Sequence, residues 1–220
     1  MQPQPALFPE FPVGAGQKFL CLGDSITEAR PGYVSLLDAA FQALFPERQI
    51  RVINAGISGN KVTDLLARLD RDVIAARPDW MTIMIGVNDV WHDFLSADHH
   101  GLPLNEYVSV YRQLLRKLQA ELPATRVILL TPTFIGEEPH TPENQRLAGY
   151  VRAVKELGEE FSLPVIDMNA RFWAALQAGR TADASFHLTT DGVHPTLAGH
   201  MLLAITILQA LGVTVKEPGD

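Results

Sequence analysis

Phe19-Leu20-Cys21-Leu22-Gly23-Asp24-Ser25 is an apolar run that ends abruptly in a glycine, an acid and a serine. The pattern predicts a short buried strand running into a tight turn. Similar runs recur along the chain at Ile50–Asn54, Trp80–Ile85, Val127–Thr131 and Pro164–Asp167. Between them lie longer stretches with helical spacing. Val34, Leu37, Phe41 and Leu44 stand 3, 4 and 3 residues apart, which makes one apolar helix face. Val62, Leu65, Leu66, Leu69 and Val73 repeat that spacing. Further helices are expected over Leu104–Leu122, Asn144–Phe161 and Thr196–Leu211, with a short one at Ala170–Ala178. Pro78 and Pro164 act as helix stops. Strands alternating with helices imply an α/β fold: a three-layer α/β/α sandwich around a five-stranded parallel sheet.

The 220 residues suit one domain with a substantial core, expected over residues 18–215. Residues 1–17 carry Pro3, Pro5, Pro9 and Pro12 and read as an extended strap or tail. This segment has no Lys or Arg before Lys18 and no long apolar stretch, so it is not read as a signal peptide. No stretch is long and apolar enough to span a bilayer, and the expected location is cytoplasmic. A net charge of -7 without a basic block argues against nucleic acid as a partner. A single cysteine, Cys21, excludes an internal disulfide and a cysteine-built zinc site.

In parallel α/β sheets ligands bind outside the carboxyl ends of the strands. That rule brings three loops to one edge: Gly23–Thr27, Asn54–Asn60 and Gly86–Asp89. Ser25 is a candidate nucleophile, although a serine after a strand also commonly caps a helix. The chain lacks the G-x-S-x-G elbow, because Gly23-Asp24-Ser25-Ile26-Thr27 misses the second glycine. His194 is a candidate base, with Asp191 three residues before it in Asp191-Gly192-Val193-His194-Pro195. Pro195 is expected to start the last helix. His187 and His200 are candidates for supporting roles. The glycine loop Asn54-Ala55-Gly56-Ile57-Ser58-Gly59-Asn60 suits backbone donation to an oxyanion better than a phosphate cradle, since neither Walker nor dinucleotide spacing is present. Asn88 offers a neutral side-chain donor. Asp89, His92, Asp93, Asp98, His99 and His100 form a ligand-rich cluster whose spacing matches no helical zinc motif, and no metal is assigned to it. Trp91 is a candidate pocket wall or a core residue.

Taken together, the four blocks resemble the SGNH hydrolases, the GDSL family of esterases and lipases. The match runs through Gly23-Asp24-Ser25-Ile26, the loop ending at Gly59, Gly86-Val87-Asn88-Asp89 and Asp191 to Pro195. The resemblance implies a flavodoxin-like sheet, Ser25 as nucleophile, His194 as base and acid, and Asp191 orienting His194. It implies an oxyanion hole from the N–H groups of Ser25 and Gly59 and the amide of Asn88, with Asp24 as a structural neighbour of the nucleophile. Asp24 and Trp91 are also candidates for the substrate rim. No cofactor is implied. Asn54–Trp80, Ile83–Trp91 and His194–Met201 are similar to bacterial intracellular acetyl xylan esterases, which are homo-oligomers acting on acetylated xylo-oligosaccharides. Relative to them, the segment between Ser25 and Tyr33 is short, and Thr189-Thr190 stand where a bulky aromatic is expected. Esterases of lipids or thioesters, a non-catalytic binding module and a metal-dependent hydrolase are the competing readings.

Overall fold

The computed structural model describes residues 6–95 and 100–213. Asp98 and His99 of the ligand-rich cluster, the first five residues of the expected strap and the last two of the expected domain lie outside them.

Five strands form one parallel sheet: β1 (Lys18–Gly23), β2 (Arg51–Gly56), β3 (Trp80–Met84), β4 (Arg126–Leu130) and β5 (Val165–Ile166). Their order across the sheet is β2-β1-β3-β4-β5, the flavodoxin-like order. The order in which successive strands are added reverses between β1 and β3, so the crevice for a ligand opens beyond their carboxyl ends. β1 pairs Gly23 with Gly56 of β2 and Met84 of β3, which brings the three following loops to one level. Phe19 through Leu22 are fully buried, as a central strand covered on both faces requires.

The helices are α1 (Ser25–Glu28), α2 (Tyr33–Leu44), α3 (Val62–Leu69), α4 (Val87–Trp91), α5 (Leu104–Glu121), α6 (Pro142–Phe161), α7 (Met168–Ala182) and α8 (Leu197–Ala210). α2 packs on α8 and α8 on α7, while α3 packs on α5 and α5 on α6. These are the two outer layers of the sandwich.

Local chemistry explains where the elements depart from the sequence reading. β2 runs two residues past Asn54 because Ala55 and Gly56 keep pairing with β1. Leu44 is 50 % exposed because α2 ends there, before the last apolar position can turn inward. The α3 face continues to Val73 through a widened π turn at Asp70–Ile74. α6 begins at Pro142 because the Thr141 side chain accepts from the Asn144 N–H. α7 is longer than Ala170–Ala178 because Asp167 caps it through the Ala170 N–H. Pro195 does not start α8. It forms a bridge with Thr189, and Thr196 is the cap, accepting from the Gly199 N–H. Gly86–Asp89 is not all loop, since Val87 opens a short helix.

The described part of the Pro-rich segment lies across one end of the sandwich. The Leu7 N–H donates to the Ala210 carbonyl at 2.8 Å. Phe8 meets Trp80 edge to face at 5.3 Å, and Phe11 stacks on Phe45 at 4.0 Å. Arg48 donates to the carbonyls of Phe11 and Val13. Among the described residues no helix is long and apolar enough to cross a membrane.

Candidate active site

The nucleophile turn follows from close packing at the end of β1. A Cβ on Gly23 would stand 2.2 Å from the Thr27 hydroxyl and 2.7 Å from the Met84 carbonyl, so only glycine fits. Asp24 caps α1 by accepting from the Ile26 N–H at 3.0 Å. Ser25 is therefore the first helical residue, with a backbone N–H among those a helix start leaves unpaired. Asp24 is 2 % exposed and caps the turn, as a structural neighbour of Ser25 does, and it does not form part of a substrate rim. Burial pushes its carboxyl up to about 6.

The Ser25 hydroxyl lies 2.9 Å from Nε2 of His194, across 169 residues of chain. Nδ1 of the same ring lies 2.6 Å from Oδ2 of Asp191. The other carboxylate oxygen accepts from the N–H groups of Val193 and His194, at 2.9 and 2.8 Å. Burial opposes ionisation of Asp191, but the His194 ring and these two N–H groups outweigh it and lower its pKa. An ionised carboxylate only accepts, so Nδ1 carries the proton and Nε2 is left to accept from Ser25. The three residues thus form one directed chain of hydrogen bonds.

Asn88 and Gly59 stand on the neighbouring loops. Asn88 is buried in the first turn of α4, and its amide donates to the Asn60 carbonyl at 3.0 Å. Gly59 has φ +77, and a Cβ there would meet nothing within 4 Å. Its backbone conformation, not a shortage of space, selects glycine. Trp91 meets the His194 ring edge to face at 6.0 Å and is half-buried.

Arg68 and Glu28, outside the motifs, and Asn54, at the start of the glycine loop, hold this arrangement. Arg68 of α3 is buried and donates to the Gly23 carbonyl (2.9 Å), the Asn60 side chain (2.7 Å) and Asp72 (2.7 Å). One guanidinium thus joins the end of β1 to the glycine loop. Glu28 accepts from the Ser58 N–H at 2.8 Å, and Asn54 donates to the Thr27 carbonyl at 2.7 Å. Arg68 sits among apolar helix positions with Asp72 four residues on, the one sequence signal that marks it. A cleft of about 480 Å³ opens beside Ser25, lined by Glu28, Ala29, Arg30, Asn54 and Gly56.

The remaining candidates have other partners. Asp89 accepts from the Val62 N–H at 3.1 Å and is fully buried, which pushes its carboxyl up to about 7. Asp93 accepts from the Gly101 N–H at 2.6 Å and pairs with Arg146. Among the described residues no group of three potential ligands comes together for a metal. His200 is buried behind the site and takes the Tyr33 N–H at 3.3 Å, and burial, with the nearby His194, lowers its pKa. His187 pairs with Glu137.

The sequence profile of the GDSL-like lipase/acylhydrolase family matches residues 21–202. An acetylxylan esterase of Geobacillus stearothermophilus is 39% identical over 218 residues, covering 91% of this chain and 96% of that one. The crystal structure of Axe2, an acetylxylan esterase from the same organism, superposes with a TM-score of 0.80 at 38% identity, covering 91% and 96% of the two chains. LAE5, an alpha/beta hydrolase enzyme from the metagenome of Lake Arreo, superposes with a TM-score of 0.80 at 35% identity, covering 91% and 97%. On this likeness, which runs through every block that builds the site, the chain belongs to the GDSL-like lipase/acylhydrolase family and is a carboxylic ester hydrolase.

Proposed function

We propose that this hydrolase removes acetyl groups from xylo-oligosaccharides through an acyl-Ser25 intermediate. The observation that carries the reading is the Ser25–His194–Asp191 chain at 2.9 and 2.6 Å. Ser25 attacks the ester carbonyl carbon while its proton passes to Nε2 of His194. The carbonyl oxygen becomes an oxyanion, for which the N–H groups of Ser25 and Gly59 and the Asn88 amide are the donors. Collapse breaks the bond to the sugar oxygen, which leaves with the proton from His194. Water then adds to the acyl group with His194 as base, releasing acetate and Ser25. Asp191 holds the ring and stabilises its charge throughout.

The polar and charged lining of the cleft beside Ser25, with Glu28, Arg30 and Asn54, suits a sugar hydroxyl better than a long acyl chain. The relative's activity on acetylated xylan supports the same substrate class. We further propose a cytoplasmic homo-oligomer. Leu197, Met201 and Ile205 form an exposed apolar stripe on α8 at four-residue spacing, which supports association. The lone, buried Cys21 suits a reducing compartment.

The test is release of p-nitrophenol from acetate, butyrate and octanoate esters, and of acetate from acetylated xylo-oligosaccharides, by the parent and by Ser25→Ala. Acetate preference with a loss of about a millionfold in kcat on substitution is expected. Octanoate preference would move the assignment to lipid esters. Undiminished turnover by Ser25→Ala would overturn it altogether.

A further inference from the structure

We infer that Glu137 is a positioning residue for the base: it grips the loop that carries Asp191 and His194, and so sets the geometry of proton transfer. The inference rests on the esterase reading above. Glu137 belongs to none of the four motif blocks and follows β4 on the stretch leading to α6. Its side chain is 8 % exposed. One carboxylate oxygen accepts from the Leu188 N–H, the Thr189 N–H and the Thr189 hydroxyl, at 2.8, 2.8 and 2.7 Å. The other oxygen lies 3.0 Å from both the His187 ring and the Arg180 guanidinium. Five groups thus converge on a single carboxylate, three of them from the two residues that open the base loop.

The grip is anchored by hydrogen bonds at both ends. Gly136, beside Glu137, donates its N–H to the Gly192 carbonyl at 2.6 Å, in the middle of the Asp191–His194 turn. Asn144 of α6 holds the same stretch by accepting from the Ile135 N–H and donating to the carbonyls of Ile135, Gly136 and Glu138. The base loop closes on itself through Thr190 N–H to the His194 carbonyl and Thr196 N–H to the Leu188 carbonyl, both at 2.8 Å. A shift at Leu188 or Thr189 is therefore transmitted to both ends of the loop that holds His194. The path runs from α6 to residues 135–138, then to the base loop and finally to the imidazole. Burial opposes ionisation of Glu137, but the hydrogen bonds from Thr189, His187 and Leu188 outweigh it and lower its pKa, so the grip is a charged one. A base held by such a supporting shell keeps its productive placement, whereas an error of about 1 Å costs on the order of a hundredfold in rate.

The test compares Glu137→Ala and Glu137→Gln with the parent on p-nitrophenyl acetate. A serine-directed phosphonate, reacted to completion, counts competent sites, so kcat is expressed per titrated serine. A purely structural role lowers the number of sites and leaves kcat per site unchanged. Positioning lowers kcat per site in Glu137→Ala, on the order of 10- to 100-fold, with KM within about twofold. Glu137→Gln keeps an oxygen for Leu188 and Thr189 but sets an amide NH2 against the Arg180 guanidinium, and is expected to give a kcat per site between that of Glu137→Ala and that of the parent. If Glu137→Ala yields no folded protein, Thr189→Val removes one donor and is expected to lower kcat per site roughly threefold. Kcat per site within twofold of the parent in Glu137→Ala, or in Thr189→Val if that variant must stand in, would overturn the inference. A parent that neither turns over the ester nor reacts with the phosphonate would overturn the esterase reading itself.

Discussion

Ser25 is set apart from the other serines by its surroundings: a ring nitrogen at 2.9 Å and a glycine two residues before it where no side chain fits. The motif spelling was enough to nominate Ser25, Asn88, Asp191 and His194. It was not enough to place Asp24, a neighbour of Ser25 or a rim residue, and Asp89, a helix cap or a member of the ligand-rich cluster; both are buried carboxyls bonded to backbone N–H groups. That burial has a measurable consequence. Asp89 is raised from 3.8 to about 7 by burial, the larger of the two shifts, and one of its oxygens is buried without a hydrogen-bond partner. Below pH 3.8 the group is protonated whether the chain is folded or not. Between 3.8 and about 7 the folded state holds the proton and the unfolded state does not, so stability falls as pH rises through this window and levels above it. Asp24 adds the same sign up to about 6. Asp89→Asn removes the larger contribution. Urea unfolding at pH 5 and pH 8 is expected to show a smaller loss of stability across that range for Asp89→Asn than for the parent, by on the order of 1 kcal/mol or more. Equal losses would show that Asp89 is already ionised in the fold.

At the scale of elements, the site is three strand ends held in register. β1, β2 and β3 present Ser25, the glycine loop and Asn88 because Gly23 pairs with both Gly56 and Met84. The spacing of apolar residues announced these strands, and their limits moved by one or two residues where pairing or capping decided. Arg68 was missed for a physical reason. A helix position reads as solvent-facing when it is charged, and only the folded chain supplies the buried acceptors at Gly23 and Asn60 that make its burial tolerable. Arg68→Met is expected to lower kcat about tenfold on p-nitrophenyl acetate with KM nearly unchanged, since it loosens the oxyanion loop rather than the substrate cleft. Arg68→Lys is expected not to restore the rate, because one ammonium cannot span three acceptors in the plane of a guanidinium. A rise in KM alone would place Arg68 in substrate binding instead.

For the whole molecule, the described part of the Pro-rich segment packs on Ala210, Trp80 and Phe45, none of which lines the cleft beside Ser25. Phe11 stacks on Phe45, packs against Phe41 and receives the Arg48 guanidinium at 5.1 Å from its ring. Phe11→Ala is expected to cost about 2 kcal/mol of stability. A thermal melt should show a Tm lower by roughly 4–8 °C, while kcat on the acetate ester stays that of the parent. A matching fall in kcat would mean that the strap reaches the site. The sequence by itself determined the alternation of strands and helices, the three-layer architecture and the four blocks that carry the chemistry. These follow from local periodicity and from short motifs whose residue types are dictated by turn geometry and acyl transfer. The tertiary structure alone decided that Asp191 lies against the His194 ring while Asp24 and Asp89 are buried, and which backbone groups Arg68 and Glu137 meet. It also decided that residues 169 apart share one hydrogen bond. Burial and hydrogen-bond partners are properties of packed neighbours, and no window of sequence contains those neighbours until the sheet brings them together.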